Sequence, residues 1–322
     1  MKDIFLSIVI PAFNEEQGIQ HAVAEVAQVA GKCTQRYEII VIDDGSKDRT
    51  YEKICSFSLA DTSVKAVKFS RNFGKEAALL AGLELAAGDV VVTMDADLQH
   101  PPALIPALLT EWEKGYKVVH AVKSERLNDS LATRLRAHIF NGLLKRLGGI
   151  EAANASDFKL LDRVAVDVLV QALPERGRFY RGLADWIGFK QAWISFCVAD
   201  RNAGVGKWSV FSLIGLAVTA IISFTSAPLR IVTILGLCTL LFAFVVAVET
   251  LWSWFMGQSV SGFATIIITV LVLGSVNMIS LGIMGEYIAK IYGEIKARPM
   301  YIVESSYGIE GAKANSRQPA RS

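Results

Sequence analysis

The sequence predicts an α/β protein in which a doubly wound, mainly parallel sheet is followed by a membrane-inserted C-terminal part. Three observations predict it. Apolar strand-like runs alternate with helical patterns through residues 1–209, the order that builds parallel sheets. Those runs end repeatedly in clusters of polar residues, where open α/β sheets place their ligand crevice. From Val210 to Ala289 the composition turns overwhelmingly apolar, which lifts the hydrophobic content to 52% and the mean hydropathy to +0.38.

Leu6–Ile10 reads as a buried strand stopped by Pro11, and a helix begins near Asn14-Glu15-Glu16 with Ile19, Val23, Val26 and Ala27 at helical spacing. Tyr37–Ile42 is a second strand, ending in Asp43-Asp44-Gly45-Ser46 before a helix that opens near Asp48. Val64–Phe69 is a third, followed by Arg71-Asn72-Phe73-Gly74-Lys75 and an Ala/Leu-rich helix, Glu76–Ala87. Asp89–Met94 is the fourth, and a helix over Ala103–Lys114 and a strand over Val118–Val122 follow. The N-terminus enters a strand directly, with no stretch long enough for a signal peptide, so the first domain is expected to stay in the cytoplasm.

The fourth strand carries the chemistry. It delivers Asp95 and Asp97, separated by Ala96, and Pro101-Pro102 then prevents regular structure from continuing. Alternation along a strand puts both carboxylates, and Gln99 after them, on one side. Oxygen donors there suit Mg²⁺ or Mn²⁺, completed by substrate phosphates. Neither a Gly-x-Gly-x-x-Gly after the first strand nor a Gly-x-x-x-x-Gly-Lys-Ser/Thr occurs, which disfavours a dinucleotide dehydrogenase and a P-loop ATPase. A nucleotide diphosphate held without a glycine loop calls for a carboxylate-bound cation instead. The formal charge of +2 implies no nucleic-acid partner. Cys33, Cys55, Cys197 and Cys238 lie far apart without a Cys-x-x-Cys pair and read as reduced, buried residues.

Farther on, Arg126, Arg134, Arg136, Lys145 and Arg146 alternate with apolar residues, a pattern for a solvated helix face or for one lying on an anionic membrane. Asp157 is an isolated carboxylate before an apolar run, readable as a turn cap or as a functional acid. Arg176, Arg178 and Arg181, then Arg201 and Lys207 beside Gly204 and Gly206, suit cationic loops over phosphates. Ile231–Val248 and Phe263–Gly285 are uncharged and long enough to span a bilayer. Arg230 before them and Lys290, Lys296 and Arg298 after them put both outer ends in the cytoplasm and the Trp252–Ser261 turn outside. Val210–Ala227 is also uncharged, but Ser212, Gly215, Thr219, Ser223 and Ser226 form a polar stripe, so it is expected to lie in the interface. The expected organisation is 1–209 catalytic, 210–228 an interfacial amphipathic helix, 229–289 two transmembrane helices (about 231–252 and 263–285), and 290–322 a cytoplasmic tail with a disordered end.

Together these motifs resemble family-2 glycosyltransferases of the GT-A fold, closest to the polyprenyl-phosphate group of the bactoprenol glucosyltransferase and dolichol-phosphate mannose synthase kind. The resemblance runs from Val9-Ile-Pro-Ala-Phe-Asn-Glu-Glu16 through Val41–Ser46, Arg71–Gly74 and Asp95–Pro102. It continues in Asp157–Arg163 and Arg178–Gly182 and ends in Gly285–Gly293 and Ala297–Pro299. It implies that Pro11, Phe13, Glu15 and Asp43 contact the base and ribose of a nucleotide sugar, with Asp95 and Ala96 beside them. Asp97 and Gln99 would hold the metal, Asp97 and Asp157 would be catalytic, with Asp157 at the position of a proposed base, and Arg126, Arg201 and Lys207 would bind donor and lipid phosphates. Lys123 and Lys159 stand where relatives often carry Arg, and Trp208 where they carry Tyr; Lys lacks the bidentate fork of Arg. The expected reaction is inverting transfer of a hexose, glucose from UDP-glucose, to a polyprenyl phosphate such as undecaprenyl phosphate, by a multi-pass inner-membrane homo-oligomer, with a tetramer among the options. GDP-mannose as donor, or a non-catalytic membrane-tethered nucleotide-sugar-binding protein, are the alternatives.

Overall fold

The computed structural model describes residues 3–123, 155–173, 175–196, 227–257 and 262–309. Two compact units result: residues 1–209 with 298–322, and residues 210–297.

In the first unit, β1 (Phe5–Ala12), α1 (Ile19–Cys33), β2 (Arg36–Asp43), α2 (Thr50–Ala60), β3 (Val64–Phe69), α3 (Lys75–Leu85) and β4 (Val90–Thr93) alternate in order. A 3₁₀ turn at Pro102–Leu104 leads into α4 (Ile105–Glu113), followed by β5 (Val118–Lys123), β6 (Ala155–Asp162), α5 (Arg163–Asp167), α6 (Tyr180–Trp186) and β7 (Gln191–Phe196). The strands form one sheet in the order β7-β5-β6-β4-β1-β2-β3-β8, where β8 is Val303–Tyr307. β1 pairs in parallel with β2 and β4, β2 with β3, and β5 with β7, while β6 and β8 run antiparallel to their neighbours.

The central strands are apolar almost throughout because both faces are covered. Leu6, Ile8 and Ile10 of β1 and Val90 and Val92 of β4 share one buried cluster with Ile19, Val23 and Val26 of α1, Ile54 of α2 and Ile105 and Leu108 of α4. On the other face α3 approaches β1 so closely that a Cβ added at Gly82 would stand 2.1 Å from Cγ1 of Val9. The chain winds outward from β1 to β2 and β3, then returns to place β4 on the other side of β1. The carboxyl ends of β1 and β4 are therefore the switch point at which such sheets open a crevice.

The C-terminal segment departs from the expected tail. The last helix continues to Lys296, and Val303–Tyr307 then joins the sheet edge as β8. Tyr301 stacks on Phe69 with ring centroids 4.9 Å apart and donates a hydrogen bond to Glu84, and Lys68 pairs with Glu304 at 3.1 Å.

The second unit contains α7 (Ala227–Phe255) and α8 (Phe263–Lys296). At 1.5 Å per residue they are about 43 and 51 Å long, more than a bilayer core requires. Both are apolar on every side and bury none of their hydrophobic window within the protein: Leu237, Leu240, Phe244, Ile268, Leu271 and Met278 are all exposed. A helix of that kind is at home in lipid. The interfacial helix expected at 210–228 falls largely outside the described residues, as do the basic stretch 126–146 and the end of the tail.

Candidate active site

A cavity of about 400 Å³ opens at the carboxyl ends of the central strands. Pro11 and Ala12 enter it at the end of β1 with Phe13 and Glu15 just beyond, Asn72, Gly74 and Lys75 after β3, and Asp95, Ala96 and Asp97 after β4. The loops after β1, β2 and β3 are each fixed by hydrogen bonds to the loop beside them along the strand ends. Asn14, in the left-handed region at φ 55°, accepts from the Lys47 N–H and its own N–H is held by Ser46. The Asp44 carboxylate accepts the N–H groups of Phe73 (2.7 Å) and Gly74 (2.9 Å), anchoring the loop that begins α3. Gly74 has φ +99°, a conformation open to residues without a Cβ, and it sets Lys75 as the first residue of that helix.

Of the two consecutive acids at the end of β2, the structure places Asp44 in the cavity wall and buries Asp43 completely. Asp43 accepts from the Ser46 N–H with one oxygen; its other oxygen has no hydrogen-bond partner among the described residues, and burial raises its pKa. Pro11, Phe13, Glu15, Asp95 and Ala96 all line the cavity. Glu15 is also raised, by burial first and then by the charges of Asp97, Asp48 and Asp95.

After β4, Leu98 takes a left-handed conformation at φ 53°, uncommon for a branched apolar residue. The turn brings the Gln99 N–H onto Asp97 Oδ1 at 3.1 Å and His100 back beside Asp95, with Nδ1 3.9 Å from Oδ2. Ligand atoms of Asp95, Asp97 and His100 lie within 4.8 Å of one another. Two carboxylates open to solvent on one side fit a hard divalent cation that keeps some waters. Gln99, expected beside Asp97, contributes its backbone to that carboxylate.

Asp157 reaches the same place from β6. The antiparallel register pairs Val90 with Asp162 and Thr93 with Lys159; continued, it sets Asp157 beside Asp95. The Thr93 hydroxyl donates to the Asp157 carbonyl at 2.6 Å. The Lys75 ammonium lies 2.5 Å from both Asp95 Oδ1 and Asp157 Oδ2, and Arg181 makes a two-pronged contact to Asp157 at 2.7 and 3.0 Å. Burial alone would raise Asp157, but the Arg181 hydrogen bonds and the Lys75 charge outweigh it and hold the carboxyl well below the usual range. Such a group stays ionised and is a poor proton acceptor.

Behind Asp157 lies a buried polar layer. Tyr180 pairs its hydroxyl with Thr93 at 2.9 Å, and its backbone N–H is held by Glu76 at 2.9 Å. Burial pushes Glu76 up to about 7. Lys159 is fully buried, its ammonium 4.6 Å from the Tyr180 ring centroid, and burial brings it down to about 8. His120 is pulled to about 3 by burial and by Lys159, and its neutral ring bonds Gln191 at 3.0 Å. Lys159 is thus an interior cation stacked on an aromatic face. Arg178 donates to the carbonyls of Leu173 and Leu169, so of the arginines around Gly177 it staples the chain, whereas Arg181 enters the site. Arg126, Arg201 and Lys207, expected at phosphates, lie outside the described residues.

Sequence reasoning did not single out Lys75, Asp44 or Tyr180. The signal for Lys75 was its place directly after Arg71–Gly74 at a strand end. Nothing local marks Tyr180.

Comparison with known proteins bears on the chemistry. A model of Glycosyl transferase family 2 matches residues 7–169. An uncharacterized glycosyltransferase of Synechocystis sp. is 39% identical over 312 residues, 95% of this chain and 97% of its own. The bactoprenol glucosyl transferase of Shigella phage SfII is 36% identical over 310 residues, 94% of this chain and 98% of its own. In fold the chain is similar to glucosyl-3-phosphoglycerate synthase from Mycobacterium tuberculosis, whose crystal structure holds Mn²⁺, UDP and phosphoglyceric acid. That likeness has a TM-score of 0.50 at 21% identity and covers 68% of this chain and 76% of that one.

Proposed function

The chain belongs to glycosyl transferase family 2, is a glycosyltransferase with the GT-A fold, and we propose that it transfers glucose from UDP-glucose to a polyprenyl phosphate at the cytoplasmic face of a membrane. The observation that carries the proposal is the meeting of Asp95, Asp97 and an ionised Asp157 at the mouth of a nucleotide-sized cavity, in a chain that also holds two bilayer-length apolar helices. A soluble acceptor would not call for those helices. Glucose as the sugar and a bactoprenol-type lipid phosphate as the acceptor are favoured by the name of the Shigella phage relative.

In the proposed mechanism, Pro11, Phe13, Glu15 and Asp44 form the nucleoside end of the site, with Asp44 in the place expected of the buried Asp43, and Asp95 and Ala96 form the wall beside the ribose. Asp95 and Asp97, with Gln99 or His100, would hold Mg²⁺ or Mn²⁺, which when bound offsets charge developing on the leaving diphosphate. An oxygen of the lipid phosphate attacks the anomeric carbon as the bond to the nucleotide diphosphate breaks, and the configuration inverts. A phosphate monoester, with second pKa about 6, arrives already ionised at neutral pH. Asp157 therefore has no proton to remove; it orients cations and substrate.

The sheet supports the membrane topology. β8 follows both long helices in sequence yet pairs with β3, which precedes them. A folded sheet lies on one side of a bilayer, so the chain crosses an even number of times between them, in keeping with two spans and both termini on the cytoplasmic side. Gly274, Gly282 and Gly285 of α8, where an added Cβ meets nothing within 4 Å, leave room for close helix approach in a homo-oligomer.

The test is transfer of labelled sugar from UDP-glucose, and separately GDP-mannose, to undecaprenyl phosphate by the purified protein, with Mg²⁺ and with EDTA. Metal-dependent label in the lipid phase from UDP-glucose alone is the expected result. Label from GDP-mannose alone would overturn the donor, and no lipid product from either would overturn the proposed transfer of these sugars to undecaprenyl phosphate.

A further inference from the structure

We infer that Lys75 and Arg181 form a phosphate-binding site spaced by Asp157, and that this site receives the phosphate monoester of the acceptor. This rests on the proposed transfer to a lipid phosphate and says where that phosphate docks.

The two cations come from helices far apart in sequence and are held rigidly. Lys75 is the first residue of α3 and Arg181 the second of α6. Their neighbours are bonded to each other, because the Glu76 carboxylate accepts the Tyr180 N–H at 2.9 Å. The Tyr180 hydroxyl is fixed in turn to Thr93 at the end of β4. Asp157, 7% exposed at its side chain, sits between the two cations and uses both oxygens on them.

Each cation keeps capacity in hand. An ammonium has three N–H donors and a guanidinium five; carboxylates take two from Lys75 and two from Arg181. One donor on Lys75 and three on Arg181 stay available among the described residues, on side chains 42% and 41% exposed. Lys75 and Arg181 both pair with Asp157, so the ion-pair cluster sets two cations on one carboxylate, with the buried Lys159 and with Glu76 close by. Asp95 restores the balance only while it faces Lys75, and a divalent cation drawn to Asp95 and Asp97 competes for it.

Position assigns the ligand. Lys75 lines the cavity proposed for the donor, whereas Asp157 and Arg181 are not part of its wall. A phosphate bridging Lys75 and Arg181 would therefore reach past the wall of the donor cavity, next to the Asp95 that Lys75 also contacts, which suits a second substrate rather than the donor. The planar Arg181 fork suits two phosphoryl oxygens, and Lys75 adds a point charge.

The experiment is calorimetric titration of the purified full-length protein in detergent, with Mg²⁺ present, using inorganic phosphate, a short-chain prenyl phosphate and UDP. Lys75→Gln and Arg181→Gln are each expected to weaken inorganic phosphate and the prenyl phosphate about tenfold or more, the value of a charge-assisted hydrogen bond, and UDP by about twofold at most. Unchanged affinity for both inorganic phosphate and the prenyl phosphate in folded variants overturns the site. Weakening confined to UDP overturns the acceptor assignment and gives the cations to the donor diphosphate. Should a Gln variant fail to fold, Arg181→Lys decides: it keeps the charge but loses the fork, and unchanged phosphate affinity overturns the proposal. Sugar transfer by the wild type is read separately. Phosphate binding that needs both cations without any transfer keeps the site and removes the catalytic reading; transfer by the wild type with normal phosphate binding in the variants does the reverse.

Discussion

At the scale of residues, the side chain with the sharpest consequences is Asp157. Both its oxygens are engaged by Lys75 and Arg181, and its carboxyl is held below the usual range. Asp157→Asn should therefore lower kcat about 10- to 100-fold by loosening two cations, while the acidic limb of the pH–rate profile stays near pH 6, where the acceptor phosphate ionises. Loss of that limb in the variant would identify Asp157 as a base after all. Glu76 makes the opposite case. Burial raises it from 4.5 to about 7, so its contribution to stability is complete below pH 4.5 and is lost as pH rises through 7. Glu76→Gln should flatten the fall in thermal stability across that window, an effect on the order of 3 kcal/mol at most. Parallel wild-type and variant profiles would show that Glu76 does not titrate there.

Among the elements, α3 has the most to do, since it carries Lys75 and Glu76 at one end and lies against β1 at Gly82. Gly82→Ala would drive a Cβ to 2.1 Å from Val9, and overpacking of this kind costs about 1–3 kcal/mol. A lower melting temperature and a raised KM for the acceptor are expected together, because the helix cannot shift without moving Lys75. Adding Val9→Ala should recover much of both; a double variant no better than Gly82→Ala would place the strain elsewhere. The same scale shows what local pattern could convey. The polar clusters after β1, β2, β3 and β4 were legible because buried parallel strands read as apolar runs and their ends as abrupt polarity. β8 was not legible: Val303-Glu-Ser-Ser-Tyr307 has little apolar content, and it becomes a strand by pairing at the edge of β3, with Tyr301 stacked on Phe69.

For the whole molecule, the decisive feature is that the sheet is completed by chain that follows the long helices. In a cysteine-free background, a cysteine introduced at Gln258, which lies between α7 and α8 in sequence, should react with an impermeant thiol reagent from outside intact cells. One placed at Ala314 in the tail should react only after permeabilisation. Labelling of both from the same side would show that α8 does not cross the membrane and would overturn the two-span topology.

The sequence by itself determined the alternation of strands and helices, the strand-end Asp95 and Asp97 and the two bilayer-length segments. Each follows from periodicity or polarity over a few neighbouring residues. Only the tertiary structure decided which distant groups share the site. Asp157 meets Asp95 through an antiparallel register set at Val90–Asp162, and Arg181 meets Lys75 because Glu76 ties α3 to α6. Likewise Asp44 and not its neighbour Asp43 lines the cavity. Register, helix approach and the facing of adjacent strand-end residues depend on how the sheet and helices pack, and no local pattern carries that information.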